Sequence, residues 1–166
     1  MTKDDATMEK AVNVKFAGLG GQGVIRASDI LAEAAFRAGL DVKKSELHGM
    51  SQRGGSVSSD VRYGEKVWSP MIPEGEADYL VVISPDQVDN NLPALKKGGV
   101  LLRPEMIDES SLPNKKSLNV ALLGVLSAQL SLPESIWIET LREAFAPEFF
   151  AANEKAFRLG RSIQPT

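Results

Sequence analysis

Gly18-Leu19-Gly20-Gly21-Gln22-Gly23-Val24 is the stretch that sets the fold class of this chain. An alternating run, Val12, Val14 and Phe16, leads into it, and an amphipathic run follows at once. Alternation marks a half-buried strand and a 3.6-residue period marks a helix, so the glycines stand in a strand-to-helix turn. They satisfy G-x-G-x-x-G at Gly18, Gly20 and Gly23. In such a turn one glycine permits the tight bend, one lets a ligand or another backbone come close, and one lets the helix pack on the strand. The helix start offers unpaired N–H groups and the positive end of a dipole, which favour an anion such as a phosphate. Glycines that only close a β–α turn leave the same pattern, so Gly18, Gly20, Gly21, Gln22 and Gly23 are candidate ligand contacts with both readings open.

Outward from this turn, Gln22 to Ala38 carries apolar residues at helical spacing, and Gly39 stands where a glycine ends a helix. Asp41 to Leu47 reads as a short strand. Val57, Ser59, Val61 and Tyr63 alternate with polar neighbours, and Tyr63-Gly64-Glu65-Lys66 then reads as a tight turn into Val67-Trp68, giving a β-hairpin over Ser56 to Trp68. Tyr79 to Ile83 is a continuous apolar run of the kind found in a strand buried on both faces. Asp86 to Lys97 has helical character with Gly98-Gly99 as its stop, and Val100 to Leu102 follows as a buried strand. Val12 to Ala17, Tyr79 to Ile83 and Gly99 to Leu102 are thus expected as central strands of one sheet. Ala121 to Leu130 is apolar, with Gly124 and Ser127 allowing close helix packing. Pro133 opens a helix to about Phe145, and Pro147 to Leu159 forms a last one with Gly160 as its stop. Strands alternating with helices predict an α/β fold: three layers, a Rossmann-like and mostly parallel sheet, helices on both faces, and one inserted hairpin.

The chain has 166 residues, which suits one domain over 1–166 with a solvated lead-in at 1–11. A net charge of -3 without long runs of one sign speaks against a nucleic-acid partner. The N-terminal residues carry charges of both signs and no apolar core, and no run approaches membrane-spanning length. The expectation is a soluble, cytoplasmic protein without a membrane partner. There is no cysteine, so thiolate-held iron–sulfur clusters, redox dithiols and disulfides are not expected in this chain. With His48 as the one histidine, neither a metal site nor a catalytic triad is expected, and no catalytic residue is assigned.

His48-Gly49-Met50-Ser51-Gln52-Arg53-Gly54-Gly55 has no hydrophobic period and three glycines, so it reads as a loop. Arg53 beside Gly54 and Gly55 suits an anion, because a guanidinium grips phosphate or carboxylate with two parallel bonds while nearby N–H groups form a nest. His48, Gln52, Arg53, Gly54 and Gly55 join the glycine turn as candidate binding residues. A surface ion pair for Arg53 and a turn-capping role for His48 explain the same residues. Were the glycine turn a dinucleotide site, Glu46, about twenty residues past Gly23, would have to reach the ribose. Lys43 and Lys44 beside it equally allow a solvated or ion-paired Glu46. Trp68, Met71 and Ile72 suit either core packing or a partner interface.

Three ordered motifs carry a resemblance: Phe16-Ala17-Gly18-Leu19-Gly20-Gly21-Gln22-Gly23-Val24, the His48 to Val57 loop, and Glu74-Gly75-Glu76-Ala77-Asp78. Together they resemble the gamma subunit, or gamma domain, of 2-oxoacid:ferredoxin oxidoreductases, over about residues 12 to 160. The wording of His48 to Gly55 most resembles the smaller subunit of indolepyruvate oxidoreductase. The resemblance implies a complex that decarboxylates a 2-oxoacid on thiamine diphosphate, passes electrons through iron–sulfur clusters to ferredoxin, and releases an acyl-CoA. It implies that thiamine diphosphate and the clusters lie on other subunits, that catalytic alpha and beta subunits are this chain's partners, and that this subunit sits on the side where coenzyme A enters. The related 2-oxoglutarate wording, Tyr-Gly-Pro-Glu-Ala-Arg-Gly-Gly, is not found here, which tilts the implied substrate toward an arylpyruvate or pyruvate. A free-standing Rossmann-like dinucleotide-binding protein is the alternative, and homodimerisation of the isolated chain stays open.

Overall fold

The computed structural model describes residues 11–49 and 54–165. The chain runs β1 (Val12–Leu19), α1 (Val24–Arg37), β2 (Asp41–His48), β3 (Ser56–Gly64) and β4 (Ala77–Val82). A four-residue helix, α2 (Val88–Asn91), follows between two 3-10 turns, and then β5 (Leu95–Leu102). Three long helices close the chain: α3 (Leu118–Ser127), α4 (Glu134–Ala144) and α5 (Pro147–Arg161).

The five strands form one sheet in the order β2-β3-β1-β4-β5. β1, β4 and β5 run parallel, while β3 is antiparallel to both β1 and β2. This departs from a doubly wound sheet, in which a parallel second strand lies beside the first. Here β3 separates them. The hairpin consists of β2 and β3, with His48 facing Val57 next to the connecting loop. The expected hairpin over Ser56 to Trp68 is therefore corrected. Val67 is buried but unpaired as a strand, and its N–H donates to the Asp41 carboxylate at 2.8 Å. An aspartate side chain has taken the place of a strand partner.

Alternation along β1 divides the sheet into two unlike faces. Val14, Phe16, Val61, Tyr63, Val81 and Leu102 join Ile30, Leu31 and Ala34 of α1, the apolar α3, and Trp137 and Phe157 in the main core. Ala17, Leu80 and Val82 face the other way, against Val88 of α2. Among the described residues, the four helices of ten residues or more thus serve one face, and the second face has only the short 85–94 segment as a helical layer. The rest of that face is polar. Lys15 pairs with Asp60 at 3.0 Å, Asp60 accepts the Ile72 N–H, and Arg62 donates to the carbonyls of Ser69 and Met71. These bonds hold the segment after β3 across the sheet while leaving Trp68 and Met71 exposed.

Two other expectations change. The helix expected over Asp86 to Lys97 stops at Ala94, because Leu95 to Leu102 form β5, which is an edge strand rather than a central one. Ala77 faces Leu95 and Tyr79 faces Val100, so the extra residues of β5 bulge out around Gly98, at φ +81°. The Gly98-Gly99 pair marks a bulge, not a helix stop. Gly160, likewise, lies inside α5 rather than ending it. A Cβ there would sit 1.8 Å from the Ala121 carbonyl oxygen, and one on Gly124 would sit 2.1 Å from that of Phe157. The α3 and α5 backbones meet through these two glycines, which explains why a helix buried on nearly every side can still find a partner.

Gly160→Ala gains about 1 kcal/mol of intrinsic helix propensity, yet it must separate α3 from α5. A net loss of about 2 kcal/mol is expected in urea unfolding of the variant. Unchanged or increased stability would contradict the close contact.

Candidate functional site

Because β1, β2, β4 and β5 point the same way, their carboxyl ends meet at one edge of the sheet, together with the start of β3. The glycine turn after β1 and the loop after β2 are neighbours there. Gly20 donates its N–H to the Gly55 carbonyl at 2.8 Å, and Gly49 donates to the Ser56 carbonyl at 2.6 Å. The Ser56 hydroxyl shares a hydrogen bond of 2.9 Å with the Gln87 side-chain oxygen from the segment after β4. Sequence-adjacent glycines of two separate motifs are thus brought together by the β1–β3 register, which sets Leu19 opposite Ser56.

Within the turn the glycines divide their work. Gly18 admits Val24, at the head of α1, close to the strand, and Gly20 is the point of approach for Gly54 and Gly55. Gly23 is the N-cap of α1, at φ +81°, and a Cβ on it would lie 2.3 Å from the Asn119 amide nitrogen. Asn119 instead donates to the Gly23 carbonyl at 3.2 Å. Gln22 turns inward, its side-chain oxygen accepting the Leu19 N–H at 2.7 Å. That bond stabilises the turn, and Gln22 also lines the cleft beside it. Gly21 is exposed at φ +91°.

A cleft of about 750 Å³ opens beside this turn, bounded by Gly21, Gly23 and Arg26 on one side and by residues 114–119, Phe145, Phe149 and Asn153 on the other. Arg26, Lys115 and Lys116 line it, and among the described residues no aspartate or glutamate does. α1 and α3 both begin at it, and neither has an acidic residue in its first turn or a side-chain hydrogen bond to its cap. The positive ends of both dipoles are therefore not neutralised locally. Arg26 is held in place by a 2.6 Å bond to the Ala144 carbonyl and by the Phe145 ring, 5.3 Å from its guanidinium carbon. Cations, two helix starts and aromatic walls suit an anionic ligand or an acidic partner surface. Sequence reasoning missed this half of the site. Lys115 and Lys116 lie in a stretch without periodicity, and the one local signal was Asn119, a polar residue heading an apolar helix.

The remaining candidates divide. His48 is exposed at the end of β2, 3.7 Å from the Glu46 carboxylate. Gly54 and Gly55 lie at the Gly20 contact, whereas Gln52 and Arg53 lie outside the described residues. Glu46 belongs to a charged row: Lys44 contacts both it and Asp29 at 2.5 Å. The hydrogen bond from Lys44 holds the Glu46 carboxyl below the ordinary glutamate range. With β3 between β2 and β1, Glu46 stands two strand spacings from the glycine turn, about 10 Å instead of about 5 Å. That geometry, with the Lys44 contact, matches the ion-paired reading of Glu46. No acid–base or nucleophile constellation forms at this edge among the described residues, and no group of three metal-ligating side chains does so among them.

The family model described as pyruvate ferredoxin/flavodoxin oxidoreductase matches residues 13–113. Indolepyruvate oxidoreductase subunit IorB of Thermococcus kodakarensis is 32% identical, with coverage of 91% of this chain and 95% of the relative. The pyruvate/ketoisovalerate oxidoreductases common subunit gamma of Pyrococcus abyssi is 30% identical over 89% and 94% of the two chains. Among solved structures, the gamma subunit of a keto/oxoacid ferredoxin oxidoreductase from Geobacter sulfurreducens superposes with a TM-score of 0.76 at 25% identity, covering 89% of this chain and 95% of that one.

Gly23→Ala and Gly39→Ala separate the contact at the turn from backbone strain. Both positions have similar positive φ, but only Gly23 has a neighbour in the way. Strain alone costs about 1 to 2 kcal/mol, and Gly23→Ala is expected to cost about 1 kcal/mol more than Gly39→Ala in urea unfolding. Equal losses would contradict the packing of Asn119 against the turn.

Proposed function

The chain belongs to the pyruvate ferredoxin/flavodoxin oxidoreductase family, as a gamma-type small subunit, and from that premise we propose that it works within a complex that oxidatively decarboxylates a 2-oxoacid of the indolepyruvate or pyruvate kind to an acyl-CoA while reducing ferredoxin. In this reading thiamine diphosphate and the iron–sulfur clusters belong to partner catalytic subunits. A chain of 166 residues without cysteine does not fit a thiolate-held cluster, so no redox step is assigned to its own side chains. Its part is to bind and position.

The observation that carries this reading is the meeting of the glycine turn and the His48 to Gly55 loop at one edge, joined by the Gly20 to Gly55 bond, beside a cleft lined by cations. An edge built this way offers N–H groups and positive charge to an anion while contributing no catalytic acid, base or nucleophile. Coenzyme A phosphates or acidic groups of a catalytic subunit are the anions we assign to it. Arg53, carried between Gly49 and Gly54, is the proposed charged contact from the loop, with Lys115 and Lys116 supporting it from the cleft. Water is displaced when such a surface is covered, which strengthens each charge-assisted bond relative to its value in solvent.

A charge-assisted contact contributes about 1.5 to 3 kcal/mol, equivalent to a factor of about ten or more in affinity. In the reconstituted complex, Arg53→Ala should therefore raise either the apparent KM for coenzyme A or the subunit dissociation constant at least about tenfold. Arg53→Lys should recover only part, since an ammonium cannot form the two parallel bonds of a guanidinium. Lys115→Ala with Lys116→Ala should shift the same constant in the same direction. Leaving both constants unchanged in all variants would overturn the assignment of this edge.

A further inference from the structure

A second opening of about 750 Å³ lies at the other end of the strands, where β1 begins and β3 ends. β1 is eight residues long, so this pole is some 20 Å or more from the glycine turn. Its walls are mostly apolar: Leu40 from the turn after α1, Val100 from β5, and Leu130, Leu132 and Ile136 around the α3–α4 connection. Polar side chains also line it, among them Tyr63, Tyr79 and the paired Asp78 and Lys96. Tyr63 is largely buried as a residue and lines the opening. Tyr79 donates a long bond of 3.4 Å to the Gln129 carbonyl, leaving its own lone pairs open. Asp78 is occupied twice, by the Asn13 N–H at 2.7 Å and by Lys96 at 2.6 Å.

These features specify a ligand. The one anion and the one cation lining the pocket neutralise each other, so a charged guest would arrive without a counterion and lose its hydration. The Tyr63 hydroxyl faces this opening, and a guest that displaces its water has to offer it an acceptor or leave it unsatisfied, which is costly. Burial, with Tyr79 and the Asp78 carboxylate beside it, raises the Tyr63 hydroxyl well above the ordinary tyrosine range, so it is a neutral donor at any physiological pH. We propose that this pole is a binding site for a small uncharged molecule with an apolar body and one hydroxyl or carbonyl, the body lying against Leu40, Leu130 and Ile136 and the oxygen accepting a hydrogen bond from the Tyr63 hydroxyl. A hydroxyl on the guest can also donate to Tyr79. The site goes beyond the binding edge proposed above and uses none of its residues.

The probes are p-cresol, toluene, which has the same body without the oxygen, and benzoate, which has the oxygen with a charge. Each is titrated into the full chain at millimolar concentration and followed by amide chemical shifts of Ala38, Gly98, Leu130 and Ser131. p-Cresol is expected to bind at these residues more tightly than toluene, and benzoate not to bind there. Tyr63→Phe keeps the ring and should weaken p-cresol about fivefold while leaving toluene unchanged. Leu130→Trp, which fills the pocket from its exposed side, should abolish binding of both. Absence of p-cresol shifts at these residues in the full chain overturns the proposal, whether water, another part of the chain or nothing holds the space. Equal affinity for p-cresol and toluene, preference for benzoate, or an unchanged p-cresol affinity in Tyr63→Phe also overturns it.

Discussion

When β3 pairs antiparallel with β1 from Val12 opposite Tyr63 to Leu19 opposite Ser56, the end of one strand and the start of the other become a single edge. The 2.8 Å bond from Gly20 to Gly55 continues that ladder past the strands into the loops. Much else depends on this register. A slip of β3 by one residue against β1 would send Val61 and Tyr63 to the polar face and bring Asp60 and Arg62 under the helices. The apolar pattern of three strands therefore fixes where two glycine loops meet, and a packing constraint becomes a functional one.

The asymmetry of the sheet follows from the same alternation. One face packs four substantial helices, closed by the glycine-to-backbone contact of α3 with α5. The other holds a salt bridge, an arginine bound to two carbonyls, and a short helical segment. This second face exposes Trp68 and Met71 on a segment anchored by polar side chains, so their exposure reflects how the segment is tied down rather than a failure of burial. In a chain that works as a subunit, such anchoring keeps a loop ordered without adding a hydrophobic layer.

Much of this architecture was legible in the amino-acid order. β1 and α1 announce themselves by period around the glycine turn, β4 and α3 by unbroken apolar runs, and α5 by its amphipathic pattern behind Pro147. What misled was glycine in two other settings: Gly98 at a bulge and Gly160 in a helix–helix contact both resemble helix stops, because chain order does not show what approaches a missing Cβ. The hairpin was misplaced because Val67 alternates correctly but finds the Asp41 carboxylate in place of a strand. At the site, the two glycine motifs were legible separately. Their contact depends on β3 inserting between β2 and β1, and the cationic side of the cleft depends on residues 114–119 arriving from nearly a hundred residues away.

The central claim is that the edge carrying Gly18–Gly23, the His48 to Gly55 loop and residues 114–119 is the surface this subunit uses in its complex. Hydrogen–deuterium exchange tests it most directly, comparing the chain alone with the chain assembled with its catalytic subunits. The account predicts slowed exchange in peptides spanning 18–26, 48–56 and 114–119 on assembly or on addition of coenzyme A. Protection confined to the opposite pole, at 96–100 and 129–133, with no change in those three segments, would contradict it.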